Sequence, residues 1–82
     1  MSSRVGIRHP DISASLSLCV HTDRDVVSSE LLTNGVWEYH ETSLIAARVS
    51  RGDVFVDVGA NIGYYTLIAA HLVGREGRVI AI

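Results

Sequence analysis

The sequence predicts an α/β fold organised around one strand–turn–helix–strand unit, the first crossover of an open sheet. Three observations predict it. Val54 to Val58 is a nearly unbroken β-branched and aromatic run that carries Asp57 near its end. Gly59 to Ile62 forms a turn, and Gly63 to Val73 follows as an apolar run at helical spacing. Arg78 to Ile82 then returns as a second apolar strand. In open α/β sheets ligands bind outside the carboxyl ends of the strands, so Asp57 and the turn after it lie where a ligand is expected.

The elements follow in chain order. Met1 to Pro10 reads as a loose N-terminal arm, since termini are poorly ordered unless tied down. Pro10-Asp11 begins a turn. Ile12, Ala14, Leu16, Leu18 and Val20 share one parity, which predicts a half-buried strand with Cys19 facing away from its apolar side. His21 to Arg24 is a polar turn. Asp25 is placed to cap a helix over Val26 to Thr33, and Asn34-Gly35 supplies the left-handed residue that ends it. Val36 to His40 is a connector rich in aromatic and polar groups, and a second helix runs from about Glu38 or Glu41 to Val49. Ser50 to Asp53 is the loop into the central unit.

Within that unit, Val54 to Val58 has the composition of a strand covered on both faces. Tyr64, Leu67, Ile68 and Leu72 form the expected buried stripe of the helix, and Ala69 and Ala70 allow close approach to the sheet. Gly74 closes the helix, and Arg75 to Gly77 is a short loop. The spacing from Val54 to Arg78 is enough for a right-handed βαβ crossover.

Composition bounds the function. The chain has 82 residues, a hydrophobic content of 48% and a net charge of −2. One small domain is the most this length allows, and the hydrophobic content is too high for a disordered segment. The charge gives no nucleic-acid footprint. No apolar run is long enough to span a bilayer, and no signal peptide follows Arg4 and Arg8. Cys19 is the only cysteine, so there is no disulfide framework. These features predict a soluble, cytoplasmic protein without nucleic-acid or membrane partners. All seven basic residues are arginine. The absence of lysine excludes a P-loop and a Schiff-base lysine within these residues. The four histidines lack metal-ligand spacing, so no metal site is expected.

Two cofactor chemistries compete for the turn. A dinucleotide fingerprint needs G-x-G-x-x-G, but Asn61 stands at its second glycine and Tyr64 at its third. A tyrosine there obstructs the close helix–strand approach that the third glycine permits. S-adenosylmethionine has no phosphate and instead presents a sulfonium and a zwitterionic methionine end. Asp57 suits its amino end, and Gly59 and Gly63 let the backbone curl under the methionine portion. Asn61 tolerates the left-handed conformation and adds an amide. Free N–H groups at the helix start, around Gly63 to Thr66, can face the carboxylate.

GDVFVDVGANIGYYTLIAA, followed by VGREGRVIAI, resembles motif I and the next strand of FkbM-type S-adenosylmethionine-dependent methyltransferases. NGVWEYHETSLI resembles the segment that precedes motif I in that family. The likeness runs from about Asp25 to Ile82. It implies a Rossmann-like class I methyltransferase fold, incomplete here, with an N-terminal arm and strand over 1–24 and the truncated start of the cofactor-binding domain over 25–82. It implies methyl transfer to a hydroxyl oxygen of a small molecule or sugar. By match, Asp57, Gly59, Ala60, Asn61 and Gly63 line the cofactor, with Tyr64 close to it and Glu38 as a weaker candidate. The acidic residue that binds the ribose in the family is expected just after Ile82. The 82 residues alone are therefore expected not to catalyse turnover.

Plainer roles stand beside these. Asp57 can cap its own turn, Tyr64 and Tyr65 can be core or rim aromatics, and Glu38 and Glu41 can lie on an exposed helix face. The alternative functions are a nicotinamide-dependent oxidoreductase fragment and a non-catalytic module that self-associates through its final strand, whose apolar edge invites pairing.

Overall fold

The computed structural model describes residues 2–12, 15–21 and 25–82. It is a mixed α/β arrangement in the order β1 (Ser2–Gly6), β2 (Ser17–His21), α1 (Val26–Asn34), α2 (Tyr39–Arg48), β3 (Val54–Asp57), α3 (Tyr64–Val73) and β4 (Arg78–Ala81). Strands β1 and β2 form one antiparallel pair, and β3 and β4 form a separate parallel pair. No helix among the described residues is long and apolar enough to cross a membrane.

The central unit forms as its sequence predicts. Strands β3 and β4 pair in parallel, Val56 opposite Ile80 and Asp57 opposite Ala81, with α3 as the crossover between them. Helix α1 also keeps its predicted ends. The Asp25 carboxylate accepts from the Ser28 backbone N–H at 2.7 Å and from its hydroxyl at 3.0 Å. Gly35 closes the helix at φ 75°, its N–H donating to the Leu31 carbonyl. The Asp25 cap is worth about 1 kcal/mol.

The N-terminal segment departs from expectation. Ser2–Gly6 is a paired strand rather than a loose arm. Val5 and Ile7 point inward and join Ile12 and Val20 in one core with Val27, Leu31, Tyr64 and Ile68. That core takes residues from both sides of position 25. His9 fastens the segment from the other end. Its Nδ1 accepts from the Asp11 N–H at 3.0 Å, which leaves Nε2 to donate to Ser43 Oγ on α2 at 2.8 Å. The ring also lies 4.5 Å, centroid to centroid, from Tyr39. The predicted strand over Ile12 to Val20 is shorter than expected and begins at Ser17; its residues 13 and 14, and residues 22–24 of the turn after it, lie outside the described residues.

Two packing expectations are also corrected. Helix α3 buries Tyr64, Ile68, Ala69 and Val73, whereas Leu67 and Leu72 are only half-buried. The helix is therefore rotated toward its small Ala69 side, which lets it sit close to the strands. Strand β3 is covered on one face only. Phe55 and Asp57 alternate with Val54 and Val56, and Val54 is 65% exposed and Val58 76% exposed. An apolar composition predicts burial, but the covering layer must be supplied by other elements, and none among the described residues lies there.

Candidate functional site

The site is built at the carboxyl end of β3. Asp57 is the last residue of the strand and is buried, its Oδ2 accepting from the Thr66 hydroxyl in the first turn of α3 at 2.7 Å. The carboxylate is thus held by the helix it faces, not by the backbone N–H groups of its own turn. The turn that follows carries three positive φ angles in the five residues from Gly59 to Gly63: Gly59 at 72°, Asn61 at 54° and Gly63 at 90°. Asn61 takes the left-handed conformation that its side chain tolerates.

Backbone bonds lock this turn onto β4. The Ile82 carbonyl accepts from Gly59 N–H at 2.9 Å and from Ala60 N–H at 3.2 Å, while the Ile82 N–H donates to the Asp57 carbonyl at 2.9 Å. The expectation of a free N–H at Gly63 is corrected: it donates to the Ala60 carbonyl at 2.9 Å. Helix α3 starts at Gly63 without a side-chain cap. A Cβ built on Gly59 or on Gly63 meets no atom within 4 Å. These glycines answer to backbone conformation, and the space beside them is open.

A cavity of about 300 Å³ lies over the turn. Of the six residues the sequence singles out, Asp57, Gly59, Ala60, Asn61 and Tyr64 line it; Gly63 does not. Trp37, Glu38 and Tyr65 join the wall, with Val27, Val58 and Ile62. Among the described residues the lining holds two carboxylates and three aromatic rings and no basic side chain. That arrangement suits a ligand with cationic centres, since carboxylates and aromatic faces both attract positive charge.

Tyr64 has a double role. It is 2% exposed, and its hydroxyl is 2.9 Å from Thr42 Oγ1 on α2. Thr42 spends its own proton on the Trp37 carbonyl at 2.7 Å, so Tyr64 is the donor to Thr42. This chain of bonds ties α3 through α2 to the connector that carries Trp37 and Glu38. It accounts for Tyr64 mainly as a structural residue whose ring closes the cavity floor.

Glu38 emerges as the stronger neighbour. Its backbone is left-handed, φ 48° and ψ 70°, at the N-terminus of α2, a conformation a non-glycine residue adopts at some cost. Its Oε1 accepts from the Tyr65 hydroxyl at 2.5 Å. Burial pushes the Tyr65 phenol well above its ordinary range, and the adjacent Glu38 carboxylate adds to the shift. Tyr65 therefore remains a hydrogen-bond donor to Glu38 across the physiological range. Glu38 is singled out in the sequence only by resemblance to a family segment, and no local signal marks Tyr65, because the two are 27 positions apart. No protein-family model, curated protein or solved structure matches this chain.

Proposed function

We propose that the chain forms the S-adenosylmethionine-binding front of an FkbM-type methyltransferase with a Rossmann-like class I fold, acting on a hydroxyl oxygen of a small molecule or sugar. The observation that carries this reading is the cavity at the end of β3, which joins two carboxylates, aromatic walls and a left-handed turn, without a basic group among the described residues. Asp57 would hold the amino end of the cofactor. Gly59, Ala60 and Asn61 would bound its methionine portion, with Gly63 shaping the turn outside the cavity, and Glu38 would add a second negative centre held by Tyr65. When bound, S-adenosylmethionine supplies an electrophilic methyl group on a sulfonium. The residues of this chain bind and orient; they exclude water with Trp37, Tyr64 and Tyr65. A cytoplasmic location goes with this reading.

The fit to a nicotinamide dinucleotide is poorer. A pyrophosphate favours basic side chains or free helix-start N–H groups, and the lining offers two carboxylates while Gly63 N–H is already used. Titration calorimetry of the chain with S-adenosylmethionine and with NAD tests the choice. Saturable heat with S-adenosylmethionine and none with NAD is the expected result; the reverse preference would transfer the site to the oxidoreductase reading.

A second role rests on the uncovered face of the parallel pair. Val54, Val56, Val58, Ile80 and Ile82 are all exposed there, and Ile82 is 74% exposed. Contiguous exposed apolar surface of this kind marks association sites, and an open parallel edge can accept another strand. Self-association of two copies is the expected outcome. Light scattering across a concentration series should give a mass that rises with concentration, and Ile80→Lys should hold it at the monomer value. A constant monomer mass in the parent chain would remove this role.

A further inference from the structure

A second, larger groove of about 600 Å³ lies away from β3, between the β1–β2 pair and α1. It stands independently of the cofactor reading. Arg4, Gly6 and Arg8 share one strand parity and face outward, while Val5, Ile7 and His9 on the other parity are buried. Opposite Gly6 in the register is Ser17, and Ser15 and Ser17 line the groove together with Arg4 and Arg8. Gly6 leaves its floor open, since a Cβ there would approach only the Leu16 carbonyl, at 3.9 Å. Leu32 supplies an apolar wall. Among the described residues, no carboxylate lines the groove. In a chain with a net charge of −2, two guanidiniums and two hydroxyls thus line one groove, with no acidic side chain among its described lining residues.

The position of Arg8 is built rather than incidental. Its N–H donates to the Gly35 carbonyl at 2.7 Å. Its side chain runs so close over Gly35 that a Cβ at that residue would lie 3.0 Å from the Arg8 Cβ and 2.4 Å from its Nε. The cation thus sits by the negative end of α1, which favours it there. That accounts for Arg8 alone. It explains neither Arg4 on the same face nor the hydroxyls between them. Arginine forks match the oxygens of a phosphate, and serine hydroxyls complete such sites. The groove is larger than a bare phosphate and falls in the range that small organic ligands occupy.

We propose that this groove binds the oxyanion of a phosphorylated small molecule, with Arg4 and Arg8 on the phosphate and Leu32 beside the organic part. The test is a titration of the ¹⁵N-labelled chain with inorganic phosphate and with glucose 6-phosphate, with glucose as the uncharged control. Saturable amide shifts confined to residues 4–8 and 15–17 are expected with either anion and not with glucose. Arg4→Gln should weaken the binding about tenfold or more. Arg8→Gln removes a contact with Gly35 and can unfold the chain, so Ser17→Asp serves as the second variant: it repels an anion and leaves Arg8 on Gly35. No saturable shift with either anion, equal shifts with glucose, or unchanged affinity in both Arg4→Gln and Ser17→Asp would overturn the proposal.

Discussion

Asp57→Asn is expected to weaken S-adenosylmethionine binding by about 10- to 100-fold while leaving the fold nearly unchanged. The size follows from the charge. A hydrogen bond to a charged group contributes about 1.5–3 kcal/mol, and each 1.4 kcal/mol is a factor of about ten in affinity. The choice of asparagine separates binding from stability. The Asp57 carboxylate accepts from the Thr66 hydroxyl at 2.7 Å, and an amide oxygen can accept the same bond. Removing the charge while keeping the acceptor should therefore move the dissociation constant and not the melting temperature. Calorimetry and a thermal melt on the same sample check both halves. An unchanged affinity would mean that Asp57 serves only to tie the strand end to α3.

Gly77→Ala is expected to cost about 3 kcal/mol of stability, near the upper end for overpacking. A Cβ at this position would lie 2.3 Å from the Val73 Cβ and 2.7 Å from the Asp53 carbonyl oxygen. Neither neighbour can give way easily. Val73 is 2% exposed at the end of α3. The Asp53 carbonyl accepts from Arg78 N–H at 3.0 Å, where β4 begins to pair with β3. The methyl group therefore wedges the helix end away from the strand pair that carries the candidate site. In a domain of this size about 1 kcal/mol shifts the melting point by about 4–8 °C, so a loss of more than about 10 °C is expected. Gly59→Ala is the contrast. Its φ is left-handed, at 72°, but a Cβ there meets nothing within 4 Å, so only the backbone cost of about 1–2 kcal/mol applies. Equal melting points for Gly77→Ala and the parent chain would show that the helix–strand junction is looser than its geometry.

Much of the site was legible in the sequence because it is local. Asp57, the left-handed positions 59, 61 and 63, and the helix that follows lie within one short stretch, and turn chemistry is written in residue identity. Helix α1 was legible for the same reason: Asp25 and Gly35 mark its ends. The misses are long-range. Strand β1 offers only Val5 and Ile7 as an apolar alternation, and it is held by β2, by Gly35 and by the His9–Ser43 bond across 34 positions. Glu38 meets Tyr65 only because Thr42 and Tyr64 draw the connector against α3. The exposed face of β3 escaped for a different reason. The alternation of Val54 and Val56 with Phe55 and Asp57 reports which residues are apolar and not which layer covers them. Gly77 looked like an ordinary loop residue, and only the approach of Val73 and Asp53 gives it a steric role.

The most direct test of the central claim is an amide-resolved NMR titration of the chain with S-adenosylmethionine. Saturable shifts are expected at Asp57 to Tyr65, at Glu38 and at the Trp37 indole N–H, with the amides of β1 and β2 unmoved. Absence of saturable shifts, or shifts centred on residues outside the cavity at the end of β3, would contradict it.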